Sequence, residues 1–317
     1  MVRFLRGLFI LIVILVVAGL LVVNFYGDPD VPDAVAITKY GQAPSQFITL
    51  ASGAKVHFRD QGVAGAPVLV LLHGTGASLH TWEPWVQALG HEFRIITVDL
   101  PSHGLTGAVP GDDYSQAGMA NFVDQFTSEL HVPKFALGGN SMGGGVAARF
   151  ALMYPARVTK LILVDAGSMP SKTPTDPGIG LRLARFPIVQ NLLLYITPRA
   201  LIEDGLKKAF YDKTLVTPEM VDRYWELNRR VGNRAAALKR FQTAPDTFVQ
   251  DHVGEIKTPT LILWGDKDTF VPVDAGEAYR DAIKGSQFIL YHDVGHLPME
   301  EAPERSAEAV RIFLERP

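Results

Sequence analysis

The chain has 317 residues, 47% of them apolar and 20% charged, with a formal net charge of −3, the composition of a core-forming protein large enough for one α/β domain. Without a long Lys/Arg block there is no electrostatic footprint for nucleic acid. Without any cysteine there is no disulfide framework, thiolate metal site or cysteine nucleophile.

The first 26 residues differ in kind from the rest. Arg3 and Arg6 precede the uncharged apolar run 8–23, which approaches the ~20 residues that cross a bilayer if Gly7, Asn24 and Phe25 are counted. The run lacks an A-x-A cleavage pattern, which favours an uncleaved anchor over a signal peptide, and it lacks the polar face of a buried core helix. Cations lie before it, and Asp28, Asp30 and Asp33 after it. Residues 1–26 are therefore expected to form a transmembrane helix with the N-terminus inside. The body of the protein would then sit on the extracytoplasmic side of the membrane as a single-pass protein. Residues 27–44, rich in Asp, Pro and Gly, read as the tether.

Downstream, short β-branched apolar runs alternate with helical stretches, the pattern of an α/β sheet. Eight strands are expected at 46–50, 55–60, 68–72, 94–98, 134–138, 160–164, 260–264 and 287–291. The first two read as a hairpin, and the later ones have the helix-length connections of parallel crossovers. The connection between the sixth and seventh is too long for one crossover and holds the helical patterns 179–186, 189–196, 200–211 and 219–231. It reads as a helical cap over 167–258, between core segments 45–166 and 259–317. Its basic run Arg229, Arg230, Arg234, Lys239 and Arg240 reads as a solvated face, with contact to anionic lipid headgroups as the alternative.

The stretch GGNSMGGG (138–145) places Ser141 on a turn between the fifth strand and a helix that stops before Pro155. This is the nucleophile elbow G-x-S-x-G, whose turn is so sharp that side chains two residues before and after the serine would collide, as Gly139 and Gly143 answer. The helix N-terminus faces the place where an oxyanion would form. A serine hydroxyl needs a base, and the base an orienting acid. Of nine histidines, His296 lies in the loop after the last strand, at the same sheet edge as Ser141. His57, His80, His91, His131, His252 and His292 read as structural or surface residues. The loop after the seventh strand offers Asp266 and Asp268, of which Asp268 is preferred, with Asp165 at the end of the sixth strand as reserve. Ser141, Asp268, His296 is the chain order that accompanies this elbow.

The motifs LLHGTGAS (71–78), VDLPSHGLT (98–106), GNSMGG (139–144), GDKDTFVP (265–272) and GHLPMEEAPE (295–304) resemble those of the α/β-hydrolase family of serine hydrolases, over residues 45–317 apart from the cap. The similar branch contains carboxylesterases, lipases, cofactor-free haloperoxidase-like enzymes and C–C bond hydrolases. The resemblance implies an eight-stranded, mostly parallel sheet with a cap, Asp268 as the triad acid, and oxyanion donors in the backbone N–H groups of Met142 and Thr75. It makes His73 and His103 loop-shaping residues, with Ser102 where the family usually has glycine. It implies no metal and no organic cofactor. Serine at the elbow argues against dehalogenase and epoxide-hydrolase chemistry, which use aspartate there. Cleavage of a small or lipid-like carboxylic ester through an acyl-enzyme on Ser141 leads, because C–C hydrolases typically carry tryptophan after the catalytic histidine and this chain has Leu297. A C–C bond hydrolase is the alternative, and perhydrolase side activity or a non-catalytic binding protein on the same fold stand behind it. The partners expected are a small-molecule ester and, through the N-terminal helix, a lipid membrane.

Overall fold

A computed structural model describes residues 27–175, 194–244 and 246–316, with Arg6, Phe186 and Asn191 besides. The strands are β1 (Ser45–Thr49), β2 (Lys55–Gly62), β3 (Val68–Leu72), β4 (Arg94–Val98), β5 (Phe135–Asn140), β6 (Val158–Val164), β7 (Thr260–Gly265) and β8 (Gln287–Tyr291). They form one sheet in the order β1-β2-β4-β3-β5-β6-β7-β8. β1 and β2 are an antiparallel hairpin, β2 is antiparallel to β4, and every later pair is parallel. The sheet expected from the sequence is therefore present, with ends shifted by one or two residues.

The described helices, in chain order, are α1 (Asp33–Tyr40), α2 (Glu83–Leu89), α3 (Gln116–Glu129), α4 (Met142–Met153), α5 (Arg199–Ala209), α6 (Pro218–Asn228), α7 (Asn233–Gln242), α8 (Phe248–His252), α9 (Val273–Ala282), α10 (Pro298–Glu301) and α11 (Pro303–Glu315). A parallel strand covered on both faces reads as an unbroken apolar run, and β3, β6 and β7 do so: Leu69–Leu72, Leu161–Val164 and Leu261–Trp264 are all essentially inaccessible. One layer of the core gathers Phe126, Phe135, Val146 and Phe150 under α3 and α4. The opposite layer gathers Trp82, Trp85, Val310 and Phe313 under α2 and α11. Both layers hold the central strands rigid at their carboxyl ends, where the loops that carry polar side chains emerge.

Two buried contacts lock those loops. Asp99, after β4, accepts hydrogen bonds from the backbone of Leu79 and Leu105, both at 2.7 Å, and from His57 Nδ1 at 2.6 Å. His57 thus fixes the loops after β3 and β4, the structural role expected of it. Gly139 and Gly143 are the second lock. A Cβ on Gly139 would stand 2.2 Å from the Gly143 carbonyl oxygen, and one on Gly143 would stand 2.3 Å from that of Leu72. Backbone cannot yield as a flexible side chain does. Gly143→Ala is accordingly expected to cost about 3 kcal/mol or more, read as a lowered urea midpoint or as loss of folded protein.

The N-terminal region departs from expectation. Among the described residues no helix is long and apolar enough to cross a membrane. The expected transmembrane helix, and with it the single-pass membrane location and outward-facing domain, are corrected accordingly. Residues 1–26, on which that reading fell, lie outside the described residues apart from Arg6. The physical weakness of the reading is length: an α-helix over the unbroken run 8–23 would span ~24 Å against a hydrocarbon core of ~30 Å.

Residues 27–44, expected as a tether, pack on the insertion between β6 and β7. Val31 forms a parallel bridge with Arg230, Arg230 pairs with Asp33, and Arg234 pairs with Asp30 at 2.7 Å. α1 seats Ala36 against Leu105 and Leu227. Of the four helical patterns expected in the insertion, the last two correspond to α5 and α6, with α7 and α8 following. Patterns 179–186 and 189–196 lie almost wholly outside the described residues.

Candidate active site

Ser141 sits between the last residue of β5 and the first of α4 with φ 54° and ψ −119°. This is a conformation that L-residues rarely adopt, and at functional sites it is held by the surrounding structure. Here its N–H donates to the Val164 carbonyl at 3.0 Å, and its own carbonyl accepts from Gly145 and Gly167. The backbone is pinned on both sides, so the hydroxyl is presented at the carboxyl edge of the sheet.

His296 arrives from the loop after β8. Its N–H donates to the Ala209 carbonyl at 2.7 Å, and its carbonyl accepts from Asn140 Nδ2 at 3.0 Å. Asn140 also donates to the Val164 carbonyl, so one buried amide ties the elbow to the histidine loop. Asp268, after β7, accepts from the Phe270 and Val271 amides on Oδ1, at 2.7 and 3.0 Å. Its Oδ2 accepts from His296 Nδ1 at 2.7 Å. An ionised carboxylate only accepts, so Nδ1 carries the proton and Nε2 keeps its lone pair, the tautomer a general base requires. The Phe270 ring, 5.3 Å from the imidazole, covers it.

Asp268 thus makes the histidine contact, and the reserve candidate Asp165 lies behind it. Asp165 is wholly buried, and its Oδ1 accepts from the Gly265 amide at 2.9 Å. Burial, with the Asp268 charge added to it, holds this carboxyl well above the usual carboxylate range. Asp165 therefore stays protonated. Asp165, Asp268 and His296 bring possible metal-ligand atoms within 4.8 Å of one another. Asp268 and His296 are already engaged with each other and with backbone amides, which suits proton handling better than grip on a cation. Asp266, the other aspartate of that loop, binds exposed His292 and the Asp293 amide instead.

Ser141 and His296 border one cavity of about 490 Å³. No hydrogen bond joins their side chains among the described residues, a looseness common before substrate is bound. Thr75 borders the same cavity, and Met142 opens α4 beside Ser141. The loop carrying Thr75 is held by Asn228 Nδ2 of α6, which donates to the Gly76 carbonyl at 2.7 Å. His73 donates from Nδ1 to the Gly74 carbonyl at 2.8 Å and accepts the Leu100 amide on Nε2 at 3.0 Å. Burial pushes its pKa down, so both ring nitrogens serve the loop. His103, 5.0 Å from the His73 ring and likewise held neutral by burial, makes only local contacts through Nδ1, which donates to the Pro101 carbonyl at 2.9 Å with Ser102 Oγ 3.1 Å away. The insertion closes the cavity with Leu201, Leu206, Tyr224, Leu238, Arg240 and Phe241.

Asn140, Asn228 and Arg240 are polar residues around this cavity that the sequence did not single out for the site. In the sequence Arg240 reads as one of a solvated basic run. It lies four residues after Ala236, which is buried, and so on the same face of α7. That spacing was the available signal.

Residues 67–303 match the family model of the alpha/beta hydrolase fold. The chain belongs to that family, and its class is that of a hydrolase built on an eight-stranded α/β sheet. It is 32% identical over 291 residues to the 2-hydroxy-6-oxononadienedioate/2-hydroxy-6-oxononatrienedioate hydrolase of Escherichia coli, the match covering 87% of this chain and 97% of the relative. A thermophilic esterase from Thermogutta terrifontis is 31% identical, with a TM-score of 0.69 over 85% of this chain and 97% of that one. A meta-cleavage product hydrolase from Pseudomonas fluorescens, 23% identical with a TM-score of 0.72 over 85% and 97% of the two chains, shows the shared fold alone.

Proposed function

We propose that the chain is a serine hydrolase that breaks a carbon–carbon bond beside a ketone carbonyl. The observation that carries the reading is the Asp268–His296 pair bordering one cavity with Ser141, in a chain 32% identical to the Escherichia coli hydrolase over nearly its whole length. The substrate in that relative's name contains no ester or amide, so its hydrolysis must cleave carbon from carbon next to the 6-oxo group. The ester reading that leads from the sequence becomes second, supported by the Thermogutta terrifontis esterase and by Leu297 after His296.

In either case His296 Nε2 takes the Ser141 proton as Oγ attacks the carbonyl carbon. The N–H groups of Met142 and Thr75 hold the resulting oxyanion. The bond to the leaving group breaks with its electron pair going to carbon, or to oxygen in an ester, and His296 returns the proton there. Water, activated by His296, then releases the acid from Ser141. A carbon leaving group needs its charge delocalised, so the 2-hydroxy-dienoate must first gain a proton on C5 and lose its 2-OH proton. The electron pair then left on C5 spreads through C3=C4 to the 2-oxo oxygen, which sets the substrate class to vinylogous 1,5-diketones. The insertion serves as a cap that keeps bulk water from the acyl-enzyme.

The test compares a synthetic 2-hydroxy-6-oxo-dienoate, followed by loss of its chromophore, with p-nitrophenyl esters of graded chain length. The expected result is a kcat/KM at least about tenfold higher on the dienoate. A preference of that size for any of the esters would transfer the function to the second reading.

A further inference from the structure

The five cations of the run 229–240 do not share one fate. Arg229 donates to the Pro29 carbonyl at 2.6 Å and lies over the Trp225 ring. Arg230 and Arg234 pair with Asp33 and Asp30, and Lys239 pairs with Asp112. Arg234 and Arg240 both border the cavity that Ser141 borders, but Arg234 is paired with Asp30, whereas among the described residues Arg240 has no acid partner. Its Nε is shut off from solvent with no hydrogen-bond partner. Its Nη1 makes only long contacts, 3.4 Å to Thr75 Oγ1 and 3.6 Å to Met142 Sδ. The remaining neighbour on its own helix is the Phe241 ring, with the guanidinium 4.5 Å from its centre.

A guanidinium offers five donors, and enclosing one without an acid is unfavourable unless something compensates it. Burial pushes the Arg240 pKa down to about 10, which leaves it fully charged at neutral pH. Among the described residues no acid offsets that charge: His73 and His103 are titratable groups beneath it, and burial keeps both neutral. Asp204 is the acid among the described lining residues, and it faces Lys208 at 4.0 Å. Of the charged residues in the lining, Arg234 and Asp204 have partners of opposite sign, which leaves Arg240 as the uncompensated charge among the described residues.

We infer that Arg240 is a substrate-binding residue, holding a carboxylate of the substrate on the side of the cavity where Thr75 and Met142 lie. The planar fork of the guanidinium matches a carboxylate bidentately, and its desolvated surroundings strengthen the pair. Its contacts run to the side chains of Thr75 and Met142, so it reaches a group beyond the attacked carbonyl and leaves the backbone N–H groups to the oxyanion. This deepens the proposed function by naming an anionic substrate, and it rests on that reading for its kinetic test only.

Binding is measured by calorimetry on the full-length Ser141→Ala protein, with glutarate against its neutral isostere glutaramide. Glutarate is expected to bind at least about tenfold more tightly. Adding Arg240→Gln should abolish that difference without altering glutaramide binding, and Arg240→Lys should restore part of it through charge alone. With Ser141 intact, Arg240→Gln should raise KM at least about tenfold for the p-nitrophenyl hemi-ester of glutarate. The kcat on this ester and on neutral p-nitrophenyl butyrate should stay within about twofold. Equal binding of glutarate and glutaramide would overturn the inference. So would a fall in kcat on both esters alike, which would make Arg240 a stabiliser of the oxyanion itself. Selective glutarate binding in a protein that cleaves neither ester nor dienoate would uphold the anion site while removing the proposed function.

Discussion

Replacing Ser141 by alanine is expected to lower turnover by ~10⁴-fold or more on any substrate the enzyme accepts, the scale seen when the nucleophile of a triad is removed. The hydroxyl is the only group at the elbow able to form the acyl intermediate, and no cysteine in the chain could substitute for it. The fold should be unaffected. Ser141 keeps its place through backbone bonds to Val164, Gly145 and Gly167, none of which involves the side chain. A matching urea unfolding curve together with retained turnover of more than a few per cent would show that Ser141 is not the nucleophile.

The second large effect is expected at Asp268. Asparagine there would keep the two amide contacts of Phe270 and Val271 on its carbonyl oxygen but turn an NH₂ toward His296 Nδ1. The imidazole would then be driven to the other tautomer, with its lone pair on Nδ1 and a proton where the base should be. The loss in kcat is expected to be ~10³–10⁴-fold. Asp165→Asn is expected to cost less than about tenfold, because Asp165 already carries a proton and asparagine reproduces a neutral donor beside Asp268. Measuring the two variants side by side separates the acid that orients the histidine from the one behind it. If Asp165→Asn were the more damaging, the orienting role would belong to the deeper carboxyl.

Much of this arrangement was legible in the sequence because it is written locally. Leu69–Leu72, Leu161–Val164 and Leu261–Trp264 are continuous apolar runs, and only a strand covered on both faces needs one. Gly139 and Gly143 are demanded by a single turn and lie two residues either side of the serine it presents. His296 and Asp268 follow their strands directly, so knowing the strands places both at one edge.

What escaped depends on pairings remote in sequence. The aspartates at 30 and 33 read as the outer flank of a membrane segment, whereas they neutralise Arg234 and Arg230 some two hundred residues away. Hydropathy counts the residues around a segment and not the partners that reach it from elsewhere. The basic run looked like one surface for the same reason. Which face of α7 turns inward is decided by Ala236 and Asn233, which are buried beneath it, and that phase leaves Arg240 bordering the cavity. Asn140 was visible as a neighbour of Ser141, but its work, joining the elbow to the carbonyl of His296, is done across the fold.

The most direct test of serine-based chemistry at this site is covalent labelling with a fluorophosphonate, followed by digestion and mass mapping of the adduct. A single phosphonyl group on Ser141 is expected in the native protein, with labelling slowed at least about a hundredfold in His296→Ala, since the base is what makes the hydroxyl nucleophilic. Absence of an adduct from folded protein, or an adduct on a residue other than Ser141, would contradict the assignment of Ser141, His296 and Asp268 as one catalytic unit.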